Sequence, residues 1–488
     1  MGKEWVTLLL YSLLLLPALA GVLCILFSQW DKKHSLLLLI PQGFITGLII
    51  FIVLSGLTPA APAYSLSDTL SFSLQWDPLG GFFAALVSVC WLLSIPYAAV
   101  YMSHEAHLGR FYTFFFLTES AVLGTALAAD LMTLYLFFEL ATLFSFPLVL
   151  HSGSDKALLG GRKYLYYSVG GAFMALFGAA VVYETCHTLS FTPGGILHQT
   201  SPLTALGVFL MILGFGAKAG LYPLHHWLPS AHPAAPSPAS AVLSGLITKC
   251  GVIAIVRILF CVADPTILQG TWVQYAAIVL TLVTVVMGSL LACWEKELKR
   301  RLAYSSISQI SYVLLGFFLL TPHGAAGALL QFFFHALAKI GLFQCAGAII
   351  FLTGCTQVTE LRGIGRRIPI TMLCFTLFSL SLVGIPPFGG FWSKWHLCLA
   401  ALESLPAPLS YLSCIALIVS ALLTAGYLFA PVLAAFFPGK DCPVELTVPV
   451  KEPAAMVLSL VILSLGCAVP GLFPQGLLTV LERIVSTL

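Results

Sequence analysis

At 488 residues, with 59% hydrophobic and only 8% charged side chains, the chain has too little polar surface to cover a water-soluble core. That excludes a soluble globular protein and leaves a polytopic membrane protein. A net charge of +3 gives no reason to expect a nucleic-acid partner.

Apolar runs of about 20 residues, the length that crosses a bilayer as a helix, recur along the chain. The predicted spans are Trp5–Phe27, Ser35–Leu57, Leu79–Met102, Phe111–Ala129, Leu131–Leu150, Tyr164–Tyr183 and Leu203–Tyr222 in the first half. The second half adds Ala239–Val262, Trp272–Trp294, Leu302–Leu320, Ala325–Thr353, Ile368–Trp392, Leu409–Phe436 and Ala454–Leu478, about fourteen spans in all. The first run ends in Ala18-Leu19-Ala20-Gly21, which resembles a signal-peptide cleavage site. Its stronger basic cluster, Lys32-Lys33-His34, follows the run instead of preceding it, so a retained helix is expected.

The largest loops are Thr58–Gln75, His151–Lys163, Cys186–Pro202, Tyr222–Pro238 and Pro438–Pro453, none long enough to be a soluble domain. The chain is therefore read as one integral membrane domain, 1–488. When loops are assigned to alternating sides, one side collects Lys32, Lys33, Arg110, Lys156, Arg162, Lys163, Lys296, Lys299, Arg300, Arg301, Arg362, Arg366, Arg367, Lys440 and Lys451. The other side has Lys3 and Arg483. So lopsided a split predicts an even number of spans with both termini outside. The expected location is a prokaryotic plasma (inner) membrane.

The 13 cysteines include no C-x-x-C pair, and most lie singly in apolar spans. This pattern argues against an iron–sulfur or zinc site in the chain, and no cofactor is expected within it. Iron–sulfur, nickel–iron or flavin centres, if any, belong to partner subunits.

Two spans carry helix breakers near a lysine. Lys218 precedes Tyr222-Pro223 in the seventh, and Gly384-Ile-Pro-Pro-Phe-Gly-Gly390 precedes Lys394 in the twelfth. Their offset of five, an odd number, predicts two five-helix repeats of opposite orientation with broken helices 7 and 12. Helices 1–3 then occupy 1–110, the first repeat (helices 4–8) 111–263, the second (helices 9–13) 272–436, and helix 14 453–478. Backbone broken at membrane depth requires buried protein or water around it.

Five ionisable groups sit inside apolar runs: Glu139, Lys218, Lys249, Lys339 and Lys394. Each costs roughly 2.5–3.5 kcal/mol to insert, so such residues mark ion pathways. Glu139 is expected to pair with Lys218. At about 4 Å and an effective dielectric near 20 the pair attracts by roughly 4 kcal/mol, while loss of water opposes the charge. Making and breaking it would switch Lys218 between holding and releasing a proton. His335 and Lys339 are four apart, on one helical face, as a proton handoff requires. For Lys394, whose span is ill-defined, snorkelling to the interface competes with a place in the file. His225, His226 and His232 serve either as a proton relay to the cytoplasmic side or as caps on broken helix ends.

These stretches resemble the antiporter-like subunits shared by respiratory complex I, Mrp-type cation/proton antiporters and membrane-bound energy-converting hydrogenases. The resemblance rests on Phe137-Phe-Glu-Leu140, on Gly214-Phe-Gly-Ala-Lys-Ala-Gly-Leu-Tyr-Pro-Leu-His-His-Trp-Leu-Pro229 through Ser237, and on Glu297-Leu-Lys-Arg-Arg-Leu-Ala-Tyr-Ser-Ser-Ile-Ser-Gln-Ile-Ser-Tyr312. It is completed by His335-Ala-Leu-Ala-Lys339 and Gly384-Ile-Pro-Pro-Phe-Gly-Gly-Phe-Trp-Ser-Lys394. It implies an all-α membrane fold of fourteen helices with inverted repeats and proton transfer along a central polar axis. Glu139 and Lys218 would be the gating pair, Lys249 the connecting group, Lys339 the second half channel and Lys394 the terminal site. The expected protein is a proton-translocating subunit, without a catalytic site of its own, of a redox-driven complex resembling NADH:quinone oxidoreductase or hydrogenase. Its expected partners are further antiporter-like and small membrane subunits, lipid, and a peripheral redox arm. The alternatives are a subunit of a sodium/proton antiporter, or a scaffold or module coupled to a carbon-dioxide-hydrating partner.

Overall fold

The computed structural model describes residues 4–26, 32–65, 71–438 and 449–488. Lys3 and Lys440, counted above toward the two sides, lie outside the described residues. The helices are α1 (Glu4–Leu26), α2 (Leu39–Ser55), α3 (Pro78–Tyr101), α4 (Leu108–Leu127), α5 (Leu131–Val149) and α6 (Asp155–Cys186). Next come α7 (Pro202–Ala219), the short α8 (Leu228–Ala234), α9 (Ser237–Val262), α10 (Trp272–Trp294), α11 (Leu298–Phe318) and α12 (Pro322–Thr353). The last are α13 (Pro369–Val383), α14 (Gly389–Ser404), α15 (Ala407–Phe436), α16 (Ala454–Leu472) and α17 (Pro474–Val485). The chain is an all-α polytopic membrane protein, and among the described residues eleven helices are long and apolar enough to cross a bilayer.

Three expected spans fall outside that eleven for physical reasons. The fourth is α4, which carries Arg110 and Glu119, and the tenth is α11, whose first turn holds Lys299, Arg300 and Arg301. The twelfth is divided between α13 and α14. Polar side chains set the helix starts. Asp77, Asp130, Ser154, Ser201 and Thr321 each accept the backbone N–H three residues on, with Pro at the first helical position of α3, α7 and α12.

Leu8 and Leu15 of α1 and Phe44, Phe51 and Leu54 of α2 face outward, Leu54 being 81% exposed, as lipid-facing surfaces do. By contrast α9 is buried along its whole length and α12 along most of it, so the core runs through these two helices. Close approach to α9 depends on Gly251, where a Cβ would stand 2.5 Å from the Phe215 carbonyl of α7.

Three local features depart from the expectation. Thr58–Gln75, read as loop, contains an antiparallel hairpin, β1 (Ala60–Ser65) and β2 (Ser71–Gln75), with an irregularity between Ala61 and Tyr64 that takes in Pro62. Asp130 pins it, accepting from Ser73 Oγ at 2.6 Å. The last span ends at Leu472, six residues early, and Pro474 starts the separate helix α17, which buries Leu481 and Ile484. Lastly, Lys299 and Arg301, counted as loop charges, are buried. Lys299 Nζ donates to the Ala235 carbonyl at 2.9 Å. Arg301 donates to the Glu295 carbonyl and, at 3.0 Å, to the Tyr427 carbonyl. That last acceptor is open because its usual helical donor position is Pro431, which has no N–H.

Arg257, within the eighth span as expected, meets Asp77 at the start of α3, with Nη2 2.5 Å from Oδ2. The arginine is 4% exposed, so removing it strands a half-buried carboxylate. Arg257→Ala should lower stability by about 2–3 kcal/mol, read as a lower unfolding temperature of the detergent-purified protein. The double change Arg257→Gln with Asp77→Asn should recover part of the loss. An Arg257→Ala protein as stable as the parent would show that the pair has no stabilising role.

Candidate functional site: a buried file of amines

The four intramembrane lysines are all inside the protein, none being more than 9% exposed. They sit on α7, α9, α12 and α14, so a path joining them runs from helix to helix.

Lys218 lies in the last turn of α7, two residues before the capping Gly220, whose φ of 87° is the left-handed conformation glycine adopts without strain. Its ammonium donates to the Phe138 carbonyl and lies 3.5 Å from the centre of the Phe138 ring. Glu139, the next residue on α5, is partly buried and its Oε1 has no hydrogen-bond partner. Among the described residues no ion pair within 4 Å joins Glu139 to Lys218. The two groups share a neighbourhood, but the expected contact is open, because Phe138 and not Glu139 faces α7, its ring edge-on to Phe215 at 4.9 Å.

Lys249 lies just after a π-helical stretch of α9, Leu243–Ile247. That widened turn lets Lys249 Nζ reach back five residues to the Ser244 carbonyl at 2.7 Å. The same nitrogen is 2.7 Å from His335 Nδ1 on α12. An ammonium has no lone pair, so against a charged Lys249 this Nδ1 accepts and the imidazole carries its proton on Nε2, which is buried without a partner. The hydrogen bond of His335 thus runs across helices to Lys249, while Lys339, four residues on, remains within its electrostatic reach.

Lys339 Nζ donates to the Leu302 carbonyl at 3.1 Å and to Ser305 Oγ at 2.7 Å. From Ser305 a side-chain network continues. Ser305 Oγ is 2.8 Å from Tyr427 Oη, which donates to Thr424 Oγ1 at 3.2 Å. Gln309 Nε2 donates to the same Thr424 oxygen at 3.3 Å, and Gln331 Nε2 donates to Gln309 Oε1 at 2.9 Å. Ser393 Oγ donates to Gln331 Oε1 at 2.5 Å, which brings the network to the residue before Lys394.

Lys394 Nζ donates to the carbonyls of Leu382 and Val383, at 2.7 and 2.6 Å. These are free because α13 stops at Gly384, with φ 83°. The return of α14 depends on Gly390, where a Cβ would fall 1.8 Å from the Ser381 carbonyl. The ammonium therefore points into the helix break, and the snorkelling alternative does not describe it.

The histidines divide. His226 is exposed, with its ring centroid 4.2 Å from that of buried His225. His232 is fully buried, stacked on Phe343 at 4.8 Å, and within electrostatic reach of Lys339, Lys299 and Lys249. Neither ring nitrogen of His225 or His232 has a partner.

Sequence reasoning passed over the whole network from Ser305 to Ser393. Its signal was present in Ser305 and Gln309, and in Thr424 and Tyr427, polar pairs at helical spacing inside apolar helices. It also passed over Glu119 on α4, fully buried, whose Oε1 accepts from Gln42 Nε2 at 2.6 Å.

A profile of the family described as NADH:quinone oxidoreductase/Mrp antiporter, TM matches residues 128–424. NADH-quinone oxidoreductase subunit N of Desulforudis audaxviator is 31% identical over 476 residues, with 90% of this chain and 91% of that protein covered. A Na(+)/H(+) antiporter subunit of Alkalihalophilus pseudofirmus is 30% identical, covering 80% of this chain and 79% of that protein. In fold, a chain of the Mrp complex from Dietzia sp. DQ12-45-1b superposes with a TM-score of 0.85 at 22% identity, covering 99% of this chain and 97% of that one.

The Gly390 contact gives a direct check on the site's construction. Gly390→Ala should force α13 and α14 apart at a cost of about 2–3 kcal/mol, seen as a smaller monodisperse peak of folded protein in size-exclusion chromatography. Gly43→Ala, with nothing within 4 Å of the added carbon, is the control and should match the parent. Equal peaks for both variants would mean that the close approach at the break is not needed.

Proposed function

The chain belongs to the NADH:quinone oxidoreductase/Mrp antiporter membrane family, and from that membership we propose that it carries protons across the membrane as an antiporter-like subunit of a redox-driven complex. One observation carries the reading. All four intramembrane amines point inward onto carbonyls, hydroxyls or an imidazole, and polar side chains continue the line between two of them. A protein that only filled the membrane would have no use for such groups.

In this reading Glu139 and Lys218 are the gating pair, and the conformation in hand is its open form. Lys218 rests on the Phe138 carbonyl, one residue from the carboxylate that would capture it. Closing the pair at about 4 Å gains roughly 4 kcal/mol at an effective dielectric near 20. That exceeds the roughly 2.3 kcal/mol needed to move one charge through 100 mV. Lys249 with His335 is the connecting group, Lys339 serves the second half, and Lys394 in the second break is the terminal site. His225, His226 and His232 form the relay toward the cytoplasmic side. The breaks after Lys218 and before Lys394 support inverted repeats, the distribution of basic residues supports both termini outside, and the bacterial relatives support a prokaryotic plasma-membrane location. Partner membrane subunits, and a peripheral arm holding the redox centres, complete the proposed assembly.

A second reading has its own support in the 30% identity to the sodium/proton antiporter protein. The two differ in what drives the protons.

Inverted vesicles carrying the assembled complex should acidify on addition of electron donor. Lys218→Ala should slow that acidification on the order of a hundredfold, with the complex still intact on a native gel. Parental acidification by an intact Lys218→Ala complex would overturn the proposal. Proton movement that needs only a sodium gradient and no electron donor would favour the antiporter reading.

A further inference from the structure

The network between Lys339 and Lys394 is made of two chemically different arms that meet at Thr424. In the first, Lys339 donates to Ser305, Ser305 lies against Tyr427, and Tyr427 donates to Thr424. Because the ammonium occupies Ser305 as an acceptor, the serine is free to give its own proton to Tyr427. Every link then points the same way. Each hydroxyl can receive a proton on the atom that releases one, which is the property of a proton wire.

The second arm runs the other way. Ser393 donates to Gln331, Gln331 to Gln309, and Gln309 to Thr424, whose own proton goes to the Ser420 carbonyl at 2.7 Å. The donors of both arms converge on one oxygen, so no concerted shift can cross it. The amides add a stronger obstacle. An amide accepts on oxygen and donates from nitrogen. A proton passed through it binds Oε1, another leaves Nε2, and an imidic acid remains, which must return a proton from oxygen to nitrogen before it can act again. Flipping both amides reverses their direction but still leaves two in series. The two glutamines, Thr424 and Ser393 are all at most 1% exposed, so bulk water does not bypass them.

Resting on the proton-transfer reading above, we infer that the paired amides of Gln309 and Gln331 are an insulating gate between Lys339 and Lys394. They tie the halves of the file into one hydrogen-bonded structure and block passive proton flow. Conduction occurs when water separates them.

The test is the passive proton leak of energised vesicles carrying the assembled complex, measured with a pH-sensitive dye after the driving substrate is exhausted. Replacing both amides, Gln309→Glu with Gln331→Glu, keeps the side chains' shapes but supplies carboxyls that each gain a proton at one oxygen and lose it from the other. It should raise the leak on the order of tenfold or more. Gln331→Met, which fills the space without a protonatable atom, should stay as tight as the parent. If the double variant fails to assemble, either single glutamate variant, which leaves one amide in series instead of two, should still raise the leak, though by less. An assembled glutamate variant as tight as the parent overturns the gate. With acidification slowed on the order of a hundredfold in Lys218→Ala, that result removes the gate alone; parental acidification in Lys218→Ala removes the proton-transfer reading and the gate with it.

Discussion

The structure depends on one constraint: a cation held away from water must find its solvation shell inside the protein. Carboxylates supply little of it here. Backbone carbonyls do most of the work, from Phe138 for Lys218 and Ser244 for Lys249 to Leu302 for Lys339 and the Leu382–Val383 pair for Lys394. Lys299 uses Ala235, and Arg301 uses Glu295 and Tyr427. Helical carbonyls are normally committed to the N–H four residues on. Several of these acceptors therefore come from places where that bond is missing: the end of α13, the junction of α8 and α9, the end of α10, and the position opposite Pro431. The helix irregularities and the buried cations are two sides of one requirement.

This explains what the sequence discloses and what it hides. Intramembrane lysines are legible because their cost is paid in any conformation, and Gly384 through Gly390 announces a break whatever surrounds it. Which acceptor a lysine takes is a matter of side-chain direction. Glu139 looks like the natural partner of Lys218 by charge, yet a residue one step along a helix turns about 100° away, and it is Phe138 that faces α7. Lys299 and Arg301 were hidden by their company. A run of basic residues between two apolar segments reads as a solvated loop, and only the packing of α11 against the α8–α9 junction and α15 shows that two of the four cations are internal. The hairpin of Ala60–Ser65 and Ser71–Gln75 was missed because its first strand, rich in Ala and Pro, reads as turn, although the Ser71-Phe-Ser-Leu74 alternation of the second is a strand pattern.

The Ser305–Ser393 network was the hardest part to read. Serine and threonine in apolar helices commonly return their proton to a carbonyl of the preceding turn, as Thr281, Ser311 and Ser379 do here. Their presence is no sign of a pathway. Ser305 and Ser393 differ because each faces a polar group on another helix, Ser305 meeting Lys339 and Tyr427 and Ser393 meeting Gln331. That distinction exists only in three dimensions.

A path made this way has consequences for how it can switch. Each lysine is anchored to a different helix, and α9 and α12, the most enclosed of these, are gripped on all sides. Moving whole helices would break packing across the core, since interiors at native density do not deform continuously. The smaller motions available are rotations of side chains between acceptors that already exist: an ammonium leaving the Phe138 carbonyl for the Glu139 carboxylate, or an amide turning away from its neighbour. Both exchange one hydrogen-bond partner for another without leaving a buried charge unsolvated. The abundance of carbonyl acceptors that stabilises the cations thus also provides the alternative positions between which they can be switched.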